Sequence, residues 1–599
     1  MRTSFCAFTV AVGFLTVDGI ERQAHAAPRQ SCDGPSYVET HCVGAELPEY
    51  ALFVQSDDAG RIITGGEWHG FEPGYVVDFD PTDGVDEKVG FGGDDVYVSV
   101  THADGSYTWT NTFGGDGDED LNDLAIGANG RIFVAGSFFR RFGDDPVLVD
   151  FDPGPGEDIH ECPSDSVCSF VTRYEPDGSY LGTWSNGAEG KEIIASQIEF
   201  DVFGNMFIAG YFRGGPFDFD PTEGEDLHRA GVFGRHFLTK MLQDGTYAWT
   251  IEFEVSIRRV KLDSHGDLYI TGSFDSYHKY DFDPGPGKDR RGGDNLKKVF
   301  VTRLNADLSY GWTRMVAQSD ENLQVYDMDN DGDDILIAGY FYDHVIFNPD
   351  GEPDYRSDPD NGTAWLVKLD TRGRYQWVYA IPSDDGSSSA RGVSADRHGS
   401  VYLSGSFGGQ TNFDPDGEGD WHFGGGNASM FVTKLGADRS YQWTRVVGGS
   451  GSMYPWNIKA ASDGRLLISG GFYSPRGVDF NPTDGEDIRH DNGVEDAFVT
   501  TWLCSDCDAL QSHGLSAKPR GSVISRVTTN LTGGRVKVQL TFDLDTVAQT
   551  GRIRTDGRVR TRFDGLSPGR YDVQIQWIED ENGARLCDGP LMERSAGVP

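Results

Sequence analysis

The chain has 599 residues, including 79 glycines and 12% aromatic residues, and a formal net charge of -44. It is longer than one ordinary domain, and glycines scattered among aromatic residues are typical of many short strands joined by tight turns. The electrostatic field of so negative a chain repels nucleic-acid phosphates and anionic lipid surfaces. The charge therefore argues against nucleic acid as a ligand and favours cations and basic partners.

The amino terminus has the pattern of an export signal. Arg2 precedes an apolar run at residues 5–17, and Ala24-His25-Ala26 offers small residues for cleavage. We therefore expect residues 1–26 to be a signal peptide and the mature protein to be secreted into an extracellular or periplasmic space. No run of the sequence is long enough to predict a membrane span.

The cysteines occur in close pairs, which in an exported chain indicates disulfide bonds. Zinc is the alternative for the Cys-x-x-Cys pair near residue 505, but the sequence has no second such pair to complete a site. The expected bonds join Cys32 to Cys42, Cys162 to Cys168 and Cys504 to Cys507, with Cys587 left over.

The tripeptide Phe-Asp/Asn-Pro occurs seven times, at spacings of 63 to 72 residues. Around each copy lie four stretches of alternating apolar residues bounded by Asx-Gly turns, which predict four half-buried strands. Four antiparallel strands repeated seven times predict an all-β fold, a seven-bladed β-propeller over residues 48–507. The phenylalanines and prolines of the motif are Phe79, Pro81, Phe151, Pro153, Phe219, Pro221, Phe282, Pro284, Phe347, Pro349, Phe413, Pro415, Phe480 and Pro482.

The stretches Phe431-Val-Thr-Lys-Leu435, Tyr441-Gln-Trp443 and Ser400-Val-Tyr-Leu-Ser-Gly405 resemble the units of the bacterial seven-bladed β-propeller repeat family. The resemblance covers residues 50–503. It implies the fold and no shared activity, and the Phe-Asp-Pro insertion lengthens each unit beyond the usual spacing of the family.

A Tyr-x-Trp strand ends most units, for example at Tyr107 and Trp109, but the seventh unit lacks one. A blade without its last strand would expose an unpaired edge. We therefore expect residues 27–47 to supply a closing strand through residues 36–40. The strands of the Leu124-Ala-Ile126 type would then lie nearest the axis.

Two groups of carboxylates offer hard oxygen ligands for Ca²⁺. The alternative is structural, because Asx side chains cap turns and proline fixes φ. Asn348 and Asn481 replace the acid in two motifs, which favours turn capping, and the EF-hand glutamate position is Ala338. The candidate calcium ligands are Asp218, Asp220 and Asp226 in one group and Asp327, Asp329 and Asp331 in the other.

No catalytic motif is recognisable in the sequence. Gly448-Gly-Ser-Gly-Ser452 does not complete a nucleophile elbow, and His-Glu-x-x-His does not occur. Glycoside cleavage needs two carboxyl groups positioned on either side of the scissile bond, and a sequence with 95 acidic residues does not single out such a pair. We therefore predict no catalytic residue.

Residues 516–590 form a different region, in which polar and apolar residues alternate with period two, as in Arg535-Val-Lys-Val-Gln-Leu540. Leu566-Ser-Pro-Gly-Arg-Tyr571 resembles the segment that leads into a late strand of small immunoglobulin-like sandwiches. We expect a small β-sandwich-like module here.

Together these features predict a monomeric, secreted binding or scaffold protein that recognises an extracellular protein or glycan through its acidic Phe-Asp/Asn-Pro loops. The alternative is a hydrolase or lyase that acts on carbohydrate from the same scaffold. A deep axial pocket with converging acids, arginine and histidine would favour the enzyme, whereas a shallow acidic rim would favour binding.

Overall fold

The computed structural model describes residues 35–598 except 71–74, 142–144, 223, 484, 504–509, 519–521, 530–534, 543–544, 553–557, 564–568 and 580–584. It divides into a large domain, Tyr37–Leu503, and a carboxy-terminal domain that starts at residue 504. Apart from the 3₁₀ turn Ala128–Gly130, the regular elements of the described residues are β-strands, so the all-β prediction is confirmed. In the described part of the chain, no helix has the length and apolarity that a membrane crossing needs.

The large domain begins with β1 (Ser36–Val43) and continues with seven repeats. Repeat 1 contains β2 (Glu49–Ser56), β3 (Ile62–His69), β4 (Val76–Asp78), β5 (Glu87–Val89), β6 (Asp94–Thr101) and β7 (Tyr107–Gly115). Repeat 2 contains β8 (Asp118–Ile126), β9 (Ile132–Phe139), β10 (Val147–Asp150), β11 (Ile159–Cys162), β12 (Val167–Tyr174) and β13 (Tyr180–Asn186). Repeat 3 contains β14 (Glu192–Phe200), β15 (Met206–Arg213), β16 (Phe217–Asp218), β17 (Leu227–His228), β18 (Arg235–Met241) and β19 (Tyr247–Phe253).

The remaining repeats follow the same order. Repeat 4 contains β20 (Arg259–Leu262), β21 (Leu268–Asp275), β22 (Lys279–Asp281), β23 (Arg290–Gly292), β24 (Lys297–Leu304) and β25 (Tyr310–Ser319). Repeat 5 contains β26 (Leu323–Asp331), β27 (Asp334–Phe347), β28 (Asp354–Leu369) and β29 (Tyr375–Ile381). Repeat 6 contains β30 (Ser388–Ala395), β31 (Val401–Asn412), β32 (Trp421–Leu435) and β33 (Tyr441–Val447). Repeat 7 contains β34 (Ser452–Ala460), β35 (Arg465–Tyr473), β36 (Val478–Asp479), β37 (Ile488–Arg489) and β38 (Asp496–Leu503).

Each of repeats 1 to 6 has four main strands that pair in chain order, as β2, β3, β6 and β7 do in repeat 1. The second and third main strands are joined through a hairpin that carries the Phe-Asp/Asn-Pro motif. In repeats 5 and 6 this hairpin extends the main strands themselves, because β27 pairs with β28, and β31 with β32, along their length. This arrangement of four-stranded sheets in sequence is propeller-like.

Repeat 7 has three main strands of its own, and β38 is hydrogen-bonded to β1. The Oγ1 atoms of Thr40 and Thr500 lie 2.9 Å apart. Threonine pairs join the third and fourth strands of other repeats in the same way, for example Thr433 and Thr444 at 2.9 Å. The strand β1 therefore occupies the place of a fourth strand in repeat 7.

The core of every repeat contains three aromatic rings. The motif phenylalanine is buried and packs against one ring from the second main strand and one from the third, as Phe413 does against Phe407 and Phe431 at centroid distances of 5.0 and 5.1 Å. Such clusters bury a large apolar area between sheets, which fixes the hairpin to the core. The other clusters are Phe79 with Trp68 and Tyr97, Phe151 with Phe138 and Phe170, Phe219 with Phe212 and Phe237, Phe282 with Phe274 and Phe300, Phe347 with Phe341 and Trp365, and Phe480 with Phe472 and Phe498.

Hydrogen bonds link each repeat to the next near the first main strands. The bonds run from Leu121 N to Glu67 Oε1 (2.6 Å), Ile198 N to Asp123 Oδ2 (2.7 Å), Val260 N to Gln197 Oε1 (2.6 Å), Asn330 Nδ2 to Leu262 O (2.8 Å), Val393 N to Asp327 Oδ2 (2.9 Å), Ala460 N to Ser394 Oγ (3.2 Å) and Val54 N to Asn457 Oδ1 (3.3 Å). The last of these bonds joins repeat 1 to repeat 7.

The carboxy-terminal domain contains two antiparallel sheets. One has the strand order β39 (Leu510–Lys518), β40 (Ser522–Thr529), β43 (Arg558–Phe563). The other has the order β42 (Asp545–Arg552), β41 (Arg535–Phe542), β44 (Gly569–Glu579), β45 (Arg585–Val598).

Candidate binding site on the hairpin face

The hairpins and the segments around them form one edge of the repeats, which we call the hairpin face. Its described residues are 70, 75–93, 140–141, 145–166, 214–222, 224–234, 276–296, 343–361, 408–428, 474–483 and 485–495. Because the strands alternate in direction, the turns that join first to second and third to fourth strands lie at the opposite edge.

The residue before the motif phenylalanine caps its hairpin in six repeats. Asp218 is an example, since its Oδ1 accepts hydrogen bonds from the backbone N–H groups of Asp220 (3.0 Å) and Asp226 (2.9 Å). An Asx side chain that accepts from nearby backbone is the usual reason for its use in turns. The same role belongs to Asp78, Asp150, Asp281, Asn412 and Asp479.

The other two candidate calcium ligands of this group also hold the hairpin. Asp220 Oδ1 accepts from Thr222 N at 2.9 Å and from the Thr222 hydroxyl, and Asp226 accepts from the Tyr247 hydroxyl and lies 3.1 Å from His228 Nε2. Each carboxylate is thus directed at a donor within the protein.

Every repeat contains a contact between a tyrosine, an aspartate and a basic residue. The aspartate lies seven residues after the motif phenylalanine and the basic residue nine after it, while the tyrosine comes from the fourth strand. In repeat 7 the tyrosine is Tyr37 of β1. The sets are Tyr107–Asp86–Lys88, Tyr180–Asp158–His160, Tyr247–Asp226–His228, Tyr310–Asp289–Arg291, Tyr375–Asp354–Arg356, Tyr441–Asp420–His422 and Tyr37–Asp487–Arg489.

Burial and the hydrogen bonds of these contacts shift the pKa values of members of the sets in repeats 3 and 4. Burial and the hydrogen bond to Asp289 raise the pKa of Tyr310 to about 12. Burial opposes the charge on Asp226, but hydrogen bonds from Tyr247 and His228 outweigh it and lower the pKa of the carboxyl group. Burial likewise opposes the charge on His228, but hydrogen bonds to Glu252 and Asp226 raise its pKa. Asp226 is therefore held as an anion between Tyr247 and His228.

The second group of candidate calcium ligands lies on β26, the first strand of repeat 5. Asp327 accepts from Arg259 Nε at 3.1 Å and from Val393 N at 2.9 Å. Asp329 accepts from Ala395 N at 3.0 Å, and Asp331 pairs with Lys368. These carboxylates connect strands and repeats.

Among the described residues, three side chains of metal-ligand type approach within 4.8 Å of one another at one place, formed by Asp263, His265 and Asp333. Neither group of candidate calcium ligands lies there. Asp263 Oδ1 accepts from the backbone N–H groups of His265 and Asp267, at 2.9 and 3.0 Å, so it caps its turn.

Exposed large apolar side chains concentrate on the hairpin face. Phe233 is 94% exposed, Val232 81%, Phe423 71% and Tyr355 70%. Others on the same face are Val76, Val85, Val89, Phe91, Leu148, Ile159, Leu227, Tyr277, Trp421, Ile488 and Val494. At least one exposed apolar side chain of this kind lies in the hairpin segment of each of the seven repeats.

A cavity of about 300 Å³ opens between repeats 2 and 3 beside this face. Its walls include Trp184, Phe237 and Ile208, and Asp218 and Asp220 contribute to its lining. The guanidinium of Arg173 lies 4.1 Å from the centre of the Trp184 ring. The cavity therefore combines an apolar interior with two acids.

The cysteine predictions have different outcomes. Cys162 and Cys168 form a disulfide with Cα atoms 5.7 Å apart, which confirms this bond. The expected bond between Cys32 and Cys42 is not formed, because Cys42 in β1 is a free thiol whose pKa is raised by burial. Cys32, Cys504, Cys507 and the expected signal peptide lie outside the described residues, and no side-chain position is described for Cys587.

Sequence reasoning missed the tyrosine–aspartate–base contacts. The aspartate and basic residue recur at fixed distances after the motif phenylalanine, so their spacing was visible in the sequence. Their partner tyrosine lies about 21 residues further on, for example from Asp86 to Tyr107. Only the register of the third and fourth strands brings them together.

Comparison with known proteins does not assign a family. No family model and no curated protein matches the chain. A puromycin hydrolase mutant complexed with PGG is similar over 84% of this chain with 11% identity and a TM-score of 0.34, and this chain spans 61% of its length. An ACO/RPE65 chimera is similar over 76% of this chain and 92% of its own, with 11% identity and a TM-score of 0.31. Likenesses this distant carry no argument about function.

Proposed function

We propose that this chain is a secreted binding protein whose seven repeats close as a seven-bladed β-propeller, similar to the bacterial repeat family named above. Support for closure comes from the hydrogen bonds that link consecutive repeats and then repeat 7 to repeat 1. Support for export comes from the amino-terminal sequence and the Cys162–Cys168 disulfide.

The observation that carries the binding function is the exposure of large apolar side chains on hairpins that are themselves rigidly held. Each hairpin is fixed by a buried phenylalanine and a tyrosine–aspartate contact, whereas its exposed residues differ between repeats. Recognition sites commonly combine such a rigid scaffold with variable loops.

The partner that fits this face carries positive charge around an apolar anchor. Segment 214–234 holds five acidic residues against one arginine, and segment 474–495 holds six acidic residues against two arginines. The cavity beside Trp184 accepts one aromatic or long side chain, with Asp218 and Asp220 in its wall to attract a cation.

A selection from a phage-displayed library of random peptides tests this function, because it needs no known partner. We expect selected peptides to be rich in Lys or Arg next to aromatic residues, and their affinity to fall as salt rises. Binding should weaken in the variant Glu157→Gln/Glu225→Gln/Glu486→Gln, whose three glutamates are exposed at equivalent hairpin positions.

The control variant makes the same change in net charge at exposed positions of the opposite edge, Asp58→Asn/Gln243→Lys/Ser462→Lys. It should retain binding. Peptides without basic enrichment, or equal losses in both variants, would contradict recognition by the hairpin face.

A further inference from the structure

A cluster of cationic and aromatic side chains lies on the first main strands of repeats 4 to 7, away from the hairpin face. Tyr326, Arg391 and Trp456 are the residues at which the pairing of β26, β30 and β34 shifts register. They remain partly accessible while their neighbours Val325 and Ala390 are buried in the sheets. Arg258 precedes β20 at the equivalent position.

The side chains of Tyr326, Arg391 and Trp456 meet although they belong to three different repeats. The guanidinium of Arg391 lies 4.3 Å from the centre of the Tyr326 ring and 5.5 Å from that of Trp456. Trp456 stacks on Tyr454 with centroids 6.2 Å apart and an interplanar angle of 24°. The cluster lies where the first strands β26, β30 and β34 of three successive repeats contact one another.

The two arginines of the cluster are not neutralised. Within the described residues, neither Arg258 nor Arg391 forms an ion pair with a carboxylate. The nearby Asp327 is engaged by Arg259 and by the backbone of Val393. Burial and the charges of Arg259 and Arg391 lower the pKa of Arg258 to about 10, although the Asp327 carboxylate acts in the opposite direction.

The cluster also holds a hydrogen-bond donor without a partner. The Trp456 indole Nε1 is buried, and no group among the described residues accepts a hydrogen bond from it. A buried donor left unpaired costs free energy that an acceptor from a ligand would recover.

We propose that Arg258, Tyr326, Arg391 and Trp456 form a binding site for a small ligand that carries an oxyanion, a carboxylate or a phosphate. Arginine guanidinium groups bind such groups through paired N–H donors, and the rings of Tyr326 and Trp456 offer faces for the rest of the ligand. The site is separate from the hairpin face, so its existence does not depend on the proposed function.

Calorimetric titration of the mature protein with inorganic phosphate, glucuronate and benzoate at constant ionic strength tests the site. We expect saturable binding of at least one of the three below about 10 mM. Phosphate, sugar acid and aromatic acid are distinguished by which one binds most tightly. The hairpin variant Glu157→Gln/Glu225→Gln/Glu486→Gln should bind the same compound unchanged, which separates this site from the proposed function.

Substitutions assign the binding to the cluster. Arg391→Met and Arg258→Met should each weaken it by about tenfold or more. The matched control is Arg314→Met, which removes an arginine lying 5.6 Å from the centre of the Trp312 ring on a fourth strand, and it should bind as the wild type does. Trp456→Phe keeps a ring but removes the N–H, and it should weaken binding several-fold. An absence of saturable binding for all three compounds, or wild-type affinity in Arg391→Met with an unchanged melting temperature, would overturn the proposal.

Discussion

Gly405 lies where a side chain has no room. A Cβ atom at this position would be 2.0 Å from the carbonyl oxygen of Ser389 and 2.8 Å from the ring of Phe431. Equivalent glycines occupy the second main strands of other repeats, with Gly136, Gly210 and Gly470 as examples. The glycine therefore lets the first strand approach the aromatic cluster of the core.

The substitution Gly405→Ala should lower the free energy of unfolding by about 2 kcal/mol, because the added methyl group meets backbone and a packed ring. Urea unfolding followed by tryptophan fluorescence measures this change. Gly231→Ala is the control, since a Cβ there would have no atom within 4 Å. Equal effects of the two substitutions would contradict the packing argument.

Two histidines in repeat 3 should respond to pH in opposite directions. The pKa of His228 is raised, so its charge stabilises the fold below the unfolded pKa of 6.5 and this stability is lost as pH rises through the folded pKa. The pKa of His236 is lowered to about 4 by burial, so stability is lost as pH falls from 6.5 towards 4.

His228→Gln should therefore reduce the free energy of unfolding more at about pH 5.5 than at about pH 8.5. The loss of unfolding free energy caused by His236→Gln should be about 1 kcal/mol smaller at the lower pH than at the higher one, because the wild type has already lost stability there. Urea unfolding of both variants at the two pH values checks the signs. If the stability loss varied with pH in the same direction in both variants, the opposite pKa shifts of His228 and His236 would be contradicted.

At the scale of elements, β1 is the strand on which the last repeat depends. A chain that begins at residue 48 lacks the Tyr37 contact with Asp487 and the pair of Thr40 with Thr500, and it exposes the edge of β38. We expect this chain to melt at a lower temperature and to aggregate on heating. The variant Tyr37→Phe keeps the strand and removes only the hydroxyl that contacts Asp487 and Thr40, so its free energy of unfolding should fall by only about 1 kcal/mol. If the chain that begins at residue 48 melted at the same temperature as the wild type, this role of β1 would be contradicted.

The sequence predicts the strands well, because alternating apolar residues and Asx-Gly turns are local signals. The spacing of the motif also places each hairpin, since its phenylalanine has to be buried. The partners of the carboxylates could not be predicted, because Asp226 meets Tyr247 and Asp327 meets Val393 through strand register and through contacts between repeats. The expected bond of Cys42 to Cys32 rested only on their closeness in the sequence, and it was wrong. The cluster around Arg391 joins residues of different repeats and has no sequence motif.

At the scale of the whole molecule, the charge of -44 opposes folding by self-repulsion. Exposed ion pairs such as Arg131 with Glu175 act in the opposite direction but contribute little each. We therefore expect the melting temperature to rise as sodium chloride is increased from about 20 mM to about 500 mM, because screening weakens the repulsion. Differential scanning calorimetry measures the change, and a fall in melting temperature would show that the ion pairs dominate.

The pairing of β1 with β38 also orders events during synthesis. Thr40 leaves the ribosome 460 residues before its partner Thr500, so β1 has no hydrogen-bonded partner strand until almost the entire large domain has been made. Repeats 1 to 6 hold all their main strands and can assemble as they emerge, whereas repeat 7 is completed only by β1, which is synthesised before repeat 1. Premature termination anywhere before residue 496 therefore damages both ends of the domain at once.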